Sequence, residues 1–309
     1  MKKFIVTTTI NPPSKAIKKY CQKKDWSIII IGDLITPHAA YKQLEKKQSN
    51  ILYLSPKDQE KKYKKLSNLI GWKSIQRRNI GFLEAYHQGA DIIATVDDDN
   101  IPYDFWGENL FVNQEIEADL YEPEDFVFDP LSITKNNYLW HRGFPLELLT
   151  NRLKVIYKGK TKRKILVQAD LWDGDPDIDA IARLTYKPIV KYDEIRKPYC
   201  SNRISPFNSQ NTFLSRKVFP YYAVLPYIGR FDDIWGGYLL QHYFPNSVIY
   251  NKASVYQERN IQSLITNLEK EIYGYRYNLN FIQNLKNFED IIPKRTLEFY
   301  QLYKDLFHK

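Results

Sequence analysis

Cysteine is scarce in this chain of 309 residues, which has only Cys21 and Cys200. Two cysteines are too few for a disulfide framework or a cysteine-rich zinc site, so the composition predicts a reducing compartment. Long apolar runs are also missing, because no stretch approaches the roughly 20 residues of a membrane-spanning helix. The apolar N-terminal stretch is interrupted at once by Thr7, Thr8 and Thr9, unlike a signal peptide. The sequence therefore predicts a cytoplasmic protein, and contact with the periphery of a membrane stays open.

The chain also lacks the short motifs of several enzyme classes. It has no phosphate-binding Gly-x-x-x-x-Gly-Lys-Ser/Thr loop, no Gly-x-Gly-x-x-Gly fingerprint and no nucleophile elbow. Its five histidines show no spacing typical of metal ligands. These absences argue against a nucleotide triphosphatase, a typical dehydrogenase and an α/β-hydrolase.

Positive charge and aromatic residues are abundant instead. Aromatic residues make up 15% of the chain, which supplies enough apolar area to exclude a largely disordered protein. The formal net charge is +9, and much of it lies in lysine clusters near 18–24, 57–65 and 158–164. Each cluster is interpreted as a solvated surface, although an anionic substrate, an anionic membrane or nucleic acid would also attract it.

The first hundred residues alternate apolar, β-branched runs with amphipathic helical patterns. Buried strands are predicted at 4–10, 27–31, 51–54 and 92–96. Ser55 followed by Pro56 is typical of a helix start. This order predicts an α/β, Rossmann-like fold whose mostly parallel sheet is flanked by helices. The second half has shorter apolar runs, so we expect irregular, partly antiparallel structure over the open edge of the sheet, followed by C-terminal helices.

Three consecutive aspartates, Asp97, Asp98 and Asp99, directly follow the predicted strand at 92–96. Open parallel sheets bind ligands at the carboxyl ends of their strands. Neighbouring carboxylates repel one another unless a cation joins them, and Mg²⁺ or Mn²⁺ prefers oxygen ligands and bridges to diphosphates. Alternate residues of an extended segment face the same way, so Asp97 and Asp99 are expected to point together. We favour this metal-binding interpretation over a plain acidic turn because of the position after the strand.

A second acidic pair, Asp232 and Asp233, precedes an apolar, helical pattern. These carboxylates cap the helix, face a cleft as a general base or sugar contact, or do both. The aspartates between Asp170 and Asp179 lack the spacing of an EF-hand. That segment is either a solvated acidic turn or a sugar-binding loop with Trp172 as a stacking platform.

Several basic residues are candidates for holding a phosphate group. Lys73, Arg77 and Arg78 lie at the start of the helical pattern that leads to the acidic strand. Arginine offers a fork of donors to phosphate oxygens, although a basic helix surface is the alternative. Arg142 lies among aromatic residues and a glycine, which predicts a partly buried guanidinium.

Together these segments resemble a known group of enzymes. The segments at 7–13, 31–37, 53–55, 73–81 and 95–100 resemble the STELLO-type glycosyltransferases. The segments at 142–145, 177–180, 211–213, 229–237 and 252–254 are similar to the reversibly glycosylated polypeptides, which are plant UDP-arabinopyranose mutases. The matching segments keep their order along residues 4–258.

The resemblance implies a GT-A fold, a nucleotide-diphosphate sugar donor that is UDP-linked, and Mn²⁺ or Mg²⁺. It implies a catalytic domain at 1–258, with a nucleotide-sugar-binding half at 1–110 and an acceptor half at 111–258, and a helical extension at 259–309. The implied donor-binding residues are Thr8, Asn11, Asp33, Lys73, Arg77, Arg78, Asp97 and Asp98. The implied catalytic residues are Asp232, Asp233 and Arg142, which matches the arginine that becomes glycosylated in the mutases. The implied metal ligands are Asp97, Asp99 and Asn251, and Asn251 stands where the resemblance leads us to expect a histidine.

The leading hypothesis is therefore transfer of a sugar to an acceptor hydroxyl, in polysaccharide or glycoconjugate synthesis. A nucleotide-sugar mutase is the second hypothesis. A pseudoenzyme that binds a nucleotide-sugar and regulates a partner is a third. A basic nucleic-acid-binding protein leaves the acidic triple unexplained, so no nucleic-acid partner is expected.

Overall fold

The computed structural model describes residues 1–259 and 262–308. Its strands are β1 (Lys3–Thr9), β2 (Ser27–Gly32), β3 (Ile51–Leu54), β4 (Ile92–Val96), β5 (Asn100–Pro102), β6 (Glu115–Pro123), β7 (Val155–Lys164), β8 (Val167–Gly174), β9 (Tyr199–Cys200), β10 (Asn211–Ser215) and β11 (Val248–Gln257). Its α-helices are α1 (Lys15–Tyr20), α2 (His38–Lys47), α3 (Pro56–Ile70), α4 (Arg78–His87), α5 (Ala180–Tyr186), α6 (Asp232–Tyr243), α7 (Leu264–Gln283) and α8 (Lys294–Asp305). Short 3₁₀ helices lie at Ile75–Arg77, Leu146–Asn151, Arg216–Tyr221, Gly229–Phe231 and Leu285–Asp290.

The N-terminal half forms as its sequence pattern predicts. Strands β1 to β4 are parallel neighbours in the order β3-β2-β1-β4, and their apolar residues are buried. The helix α3 begins at a capping box in which Ser55 and Asp58 satisfy each other's backbone N–H groups, with Pro56 at the first helical position. The predicted α/β class with a mostly parallel sheet flanked by helices is confirmed.

The second half extends this sheet. The order continues β4-β10-β8-β11-β9-β6-β7, and β5 pairs with β11. Strand β10 is antiparallel to both β4 and β8, so β4, β8 and β11 run in the same direction and end at the same edge. The partly antiparallel character is as predicted, and β10 covers the open edge of the parallel part by pairing with β4. The apolar pattern of the sequence does not predict β8, because two of its buried residues are polar. These are Gln168 and Asp170, whose side chains hydrogen-bond each other at 2.8 Å.

The C-terminal helices pack on both halves of the chain. Helix α7 packs against the Gly229–Phe231 turn and α5, while α8 packs against α3. Phe281 of α7 stacks on Trp235 of α6 with 4.0 Å between ring centroids. Of the predicted extension, residues 260, 261 and 309 lie outside the described residues. In the described parts of the chain, no helix is long and apolar enough to cross a membrane.

Candidate active site

Two cavities meet at the carboxyl edge of the sheet, where β4 ends. The cavity named here the front cavity has a volume of about 540 Å³ and is bordered by the ends of β1 and β2 and by residues 73–78. The inner cavity has a volume of about 150 Å³ and is bordered by Arg142 and the start of α6. Asp97 and Asp99 border both cavities, so the acidic triple lies at their junction.

Asp97 and Asp98 have side-chain partners on different elements. Asp97 forms an ion pair with Arg78. Asp98 accepts hydrogen bonds from the Thr9 hydroxyl at 2.5 Å and from the Asn11 side-chain amide at 3.0 Å. Of the donor-binding residues that the resemblance implies, Asn11 therefore lies against the acidic triple, on the front side.

The triple lies in a turn after β4, in which the Asn100 N–H donates to the Asp97 carbonyl at 3.3 Å, and not in the extended segment that the sequence predicted. Asp97 and Asp99 border both cavities, whereas Asp98 borders the front cavity. The backbone carbonyl of Asp99 accepts a hydrogen bond from the Glu258 N–H at 3.1 Å, which joins the triple to the end of β11. Asp97 and Asp99 thus border one shared space.

The electrostatics of the triple favour a cation. Burial raises the pKa of Asp97, the charge of Arg78 offsets only part of that rise, and the neighbouring Asp98 adds to it. A divalent ion at the junction would relieve this repulsion without a proton.

The residues at the junction fit such an ion. Mg²⁺ is usually held by one or two carboxylates together with waters and substrate phosphates. Within residues 1–259 and 262–308, no group of three or more acidic, histidine or cysteine side chains forms a closed metal site. Asp97 and Asp99 would supply two oxygen ligands to an open site of this kind.

Asn251 lies away from this junction. It is on β11 opposite Asp170 of β8, and its side chain hydrogen-bonds Asp170. Six residues further along β11, Gln257 borders the inner cavity beside Asp97 and Asp99. Among the described lining residues of the two cavities, Asn251 is not present, so the structure does not bring it to the two aspartates.

The adjacent arginines Arg77 and Arg78 have different hydrogen-bond partners. Arg78, where α4 begins, is fully buried and donates to the Ser209 carbonyl at 2.7 Å as well as to Asp97. Arg77 borders the front cavity, but its guanidinium donates to Gln59, to the Gly71 carbonyl and to Ser67. Arg77 therefore holds the turn that precedes it, and burial lowers its pKa to about 10.

Asp33 holds the other side of the same turn. Its carboxylate accepts hydrogen bonds from the backbone N–H groups of Lys73 and Ser74, each at 3.0 Å. Lys73 has a φ of 57°, in the left-handed region, so this turn needs such support. The result is an exposed Lys73 side chain at the front cavity, near Thr8 of β1.

The inner cavity contains a buried network around Arg142. The Arg142 guanidinium donates to Asp177 at 2.7 Å and to Asp233 at 3.0 Å. Asp233 also accepts from the Ser209 N–H at 2.9 Å. Asp232, the first residue of α6, accepts from the Gln76 side chain at 2.6 Å. Segments far apart in sequence thus meet at one small space.

The two neighbouring carboxylates of α6 have opposite pKa shifts. Burial raises the pKa of Asp232 to about 7, and the charge of Asp233 adds to the rise. Burial acts on Asp233 as well, but the Arg142 charge outweighs it and holds the pKa of Asp233 below its usual value. Such a divided pair is typical of acid–base sites, because one member holds a proton near neutral pH and the other stays ionised.

Arg142 is fixed between two carboxylates. Burial lowers its pKa, but Asp177 and Asp233 outweigh burial and raise it well above the usual value. A guanidinium held in this way is a persistent cation that orients Asp233. The sequence indicated that Arg142 is partly buried, but it did not indicate these partners.

Sequence reasoning missed several residues that line the inner cavity, namely Ser209, Gln210, Arg230, Gln257 and Arg259. It also missed Gln76, which donates to Asp232. Arg230 and Arg259 reach Asp177, which three arginines therefore surround. No spacing in the sequence marks this set. The only available signal is that Arg230 and Gln76 lie beside residues already chosen. Trp172 is buried and meets the His141 ring edge-on, so it offers no exposed platform.

The chain is distantly similar to two curated plant proteins. No protein-family model matches it. It is 25% identical over 235 residues to Probable glycosyltransferase STELLO2 of Arabidopsis thaliana, and 26% identical over 235 residues to Probable glycosyltransferase STELLO1 of the same plant. Each match covers 70% of this chain but 30% of the plant protein, so the chain spans less than a third of their length.

Proposed function

We propose that this chain is a metal-dependent, GT-A-type glycosyltransferase that moves a sugar from a UDP-linked donor to an acceptor hydroxyl. The observation that carries the proposal is the junction of the two cavities at Asp97 and Asp99. The front cavity suits a nucleotide, and the inner cavity has room for one sugar ring. A donor that spans both would place its diphosphate at the two aspartates.

The residues around the front cavity would bind and orient the donor. Thr8 and Asn11 border it from the β1 side, and Lys73 offers an ammonium to a phosphate oxygen. Arg78 keeps Asp97 in place through their ion pair. A bound Mn²⁺ or Mg²⁺ would supply neutralisation of the leaving diphosphate.

The residues around the inner cavity would deprotonate the acceptor hydroxyl and contact the sugar. An effective general base has a pKa close to the working pH. Burial raises the pKa of Asp232 to about 7, so Asp232 suits acceptance of the proton from the acceptor hydroxyl. Asp233, ionised beside Arg142, would hydrogen-bond a sugar hydroxyl or stabilise developing positive charge on the ring.

Transfer is favoured over the mutase hypothesis by the state of Arg142. A mutase of the resembled kind needs this arginine as the group that accepts the sugar. Here its guanidinium is paired with Asp177 and Asp233, and a strongly protonated guanidinium is a poor nucleophile. Proton NMR of a donor incubated with the protein distinguishes the two, since a mutase interconverts ring forms without an acceptor.

A thermal-shift screen tests the donor assignment. The purified protein is melted with UDP-, GDP-, CMP- and dTDP-sugars, each with and without Mn²⁺. A ligand at 100 times its Kd stabilises the folded state by about 2.7 kcal/mol. We expect a Mn²⁺-dependent rise in Tm with the UDP-sugars. A clean melt that none of the four classes shifts would contradict the proposal.

A further inference from the structure

A third cavity of about 680 Å³ lies on the acceptor-side half of the chain and is named here the ribbon cavity. Its lining comes from the segment after β5, the end of β8, the loop at 191–196 and the middle of β11. Among the described residues, none borders both this cavity and the front or inner cavity. A nucleotide-sugar bound at the acidic triple would therefore leave it empty.

The strands β5 and β11 connect this cavity to the catalytic junction. They form a short antiparallel ribbon in which Asn100 pairs with Gln257 and Pro102 with Val255. One end of the ribbon carries Asp99, at the junction. The other end carries Tyr103, at the ribbon cavity. Four residues of extended strand span about 13 Å, so the two places lie within the reach of one short oligosaccharide.

A bulge in β11 shapes the cavity. Asn251 pairs with Asp170 and Val255 with Trp172, so β11 has three residues where β8 has one. The extra residues include Lys252 and Ala253, and both line the cavity. Bulges re-aim side chains and are frequent beside active sites.

The polar groups of the cavity are already held in place. The buried Asp173 carboxylate accepts from the Tyr103 hydroxyl at 2.8 Å and from the Tyr192 N–H at 2.9 Å. The Lys252 ammonium lies 4.0 Å from the centre of the Phe105 ring. Aromatic rings next to fixed carboxylate and ammonium groups suit a ligand with both C–H faces and many hydroxyls.

The charge of the lining indicates which kind of saccharide fits. Among its described residues, three are basic and three are acidic, namely Lys191, Arg196, Lys252, Asp104, Asp173 and Asp193. A balanced lining does not attract a strongly anionic ligand over long range, in contrast to a phosphate or nucleic-acid site. An uncharged saccharide matches it better than an acidic one.

We infer that the ribbon cavity binds the distal units of an uncharged oligosaccharide acceptor, whose terminal hydroxyl then lies at the inner cavity. This inference rests on the proposed function, and it assigns the acceptor's class and the place where it is held. Lys252 and Asp173 bind the acceptor's hydroxyls, and Phe105 contacts a ring face.

Binding to immobilised oligosaccharides tests the inference. The probes are neutral oligosaccharides of glucose, galactose, mannose and xylose, next to anionic uronate oligosaccharides. We expect saturable binding to at least one neutral series. Lys252→Ala and Phe105→Ala should each weaken it about tenfold, as expected for loss of a charged hydrogen bond or a ring contact. Lys158→Ala, an exposed lysine of β7, is the matched control and should leave binding unchanged.

A parallel melt with UDP and Mn²⁺ separates this inference from the proposed function. Lys252→Ala should keep the wild-type nucleotide response. Nucleotide binding without binding to any neutral saccharide, or saccharide binding that both variants retain, would overturn the inference alone. A preference for the uronate series would overturn the assignment of an uncharged acceptor. Saccharide binding without any nucleotide response would overturn the proposed function, and with it the role of the cavity as an acceptor site.

Discussion

The chain carries consecutive aspartates at two places, and their surroundings differ. Asp97, Asp98 and Asp99 lie where two cavities open, with hydroxyl and amide donors on Asp98 and one arginine on Asp97. Asp232 and Asp233 lie in a buried network whose charge is balanced by Arg142. We therefore propose different chemistry for the two motifs: the triple would bind a cation, whereas the pair would hold and move a proton.

The largest expected effect on the free energy of unfolding comes from removal of Arg142, the cation beside the acidic pair. Arg142→Met leaves Asp177 and Asp233 buried without their shared cation, which costs about 3–5 kcal/mol in the free energy of unfolding. Urea denaturation measures this loss. Lys158→Met on the exposed face of β7 is the control and should stay within about 0.5 kcal/mol of wild type. A loss below about 1 kcal/mol for Arg142→Met would show that the network does not depend on Arg142.

A smaller effect is expected on the pH dependence of stability, because only Asp232 of the pair has a raised pKa. The pKa of Asp232 is raised to about 7 in the folded protein, against about 3.9 in the unfolded chain. Its stabilising proton is present below pH 4 and is lost as pH rises through 7, so stability falls over that window. The Asp232→Asn variant has no carboxyl at this position, so its stability does not fall with pH for this reason. Its stability relative to wild type should rise by more than about 1 kcal/mol between pH 4.5 and 8, since one unit of pKa shift equals about 1.4 kcal/mol.

Chemical denaturation of wild type and Asp232→Asn at both pH values gives that comparison. Asp170 and Asp179 also have raised pKa values, about 6 and about 7, because of burial. Both proteins keep them, so their contribution cancels in the difference. A stability difference that does not change with pH would mean that Asp232 is ionised throughout.

The smallest effect concerns the rim of the front cavity. Lys73 is exposed, so its attraction to a diphosphate is screened by solvent and amounts to less than about 1 kcal/mol. Lys73→Ala should weaken UDP binding roughly two- to fivefold, with a larger change at low salt. Titration calorimetry at two salt concentrations measures it, with Lys158→Ala as the control. Equal UDP affinity in Lys73→Ala and wild type at low salt would place Lys73 away from the phosphates.

The two acidic sites also differ in how far the sequence predicts them. The position of the triple could be predicted because it directly follows the apolar run of β4. Arg142, Asp232 and Asp233 were brought together only by the resemblance, and no spacing in the sequence indicated that Asp177 joins Arg142 and Asp233 from a third distant segment. Its charges are adjacent only in the folded chain.

Two further differences have physical causes. Arg77 and Arg78 look equivalent in sequence, but only Arg78 faces Asp97, because α4 begins between them and turns Arg77 toward Gln59. Strand β8 was not predicted because its buried polar residues satisfy one another, which interrupts the apolar pattern. A pattern of hydrophobic residues predicts strands only where the core is apolar.

The central claim is that Asp97 and Asp99 hold a metal-bound diphosphate at the junction of the two cavities. Calorimetric titration of UDP with and without Mn²⁺, into wild type and Asp99→Asn, tests it most directly. Asp305→Asn, on the exposed side of α8, is the matched control. The account predicts saturable UDP binding that requires Mn²⁺, persists in Asp305→Asn and is lost in Asp99→Asn. UDP binding that is indifferent to Mn²⁺, or that Asp99→Asn retains, would contradict it.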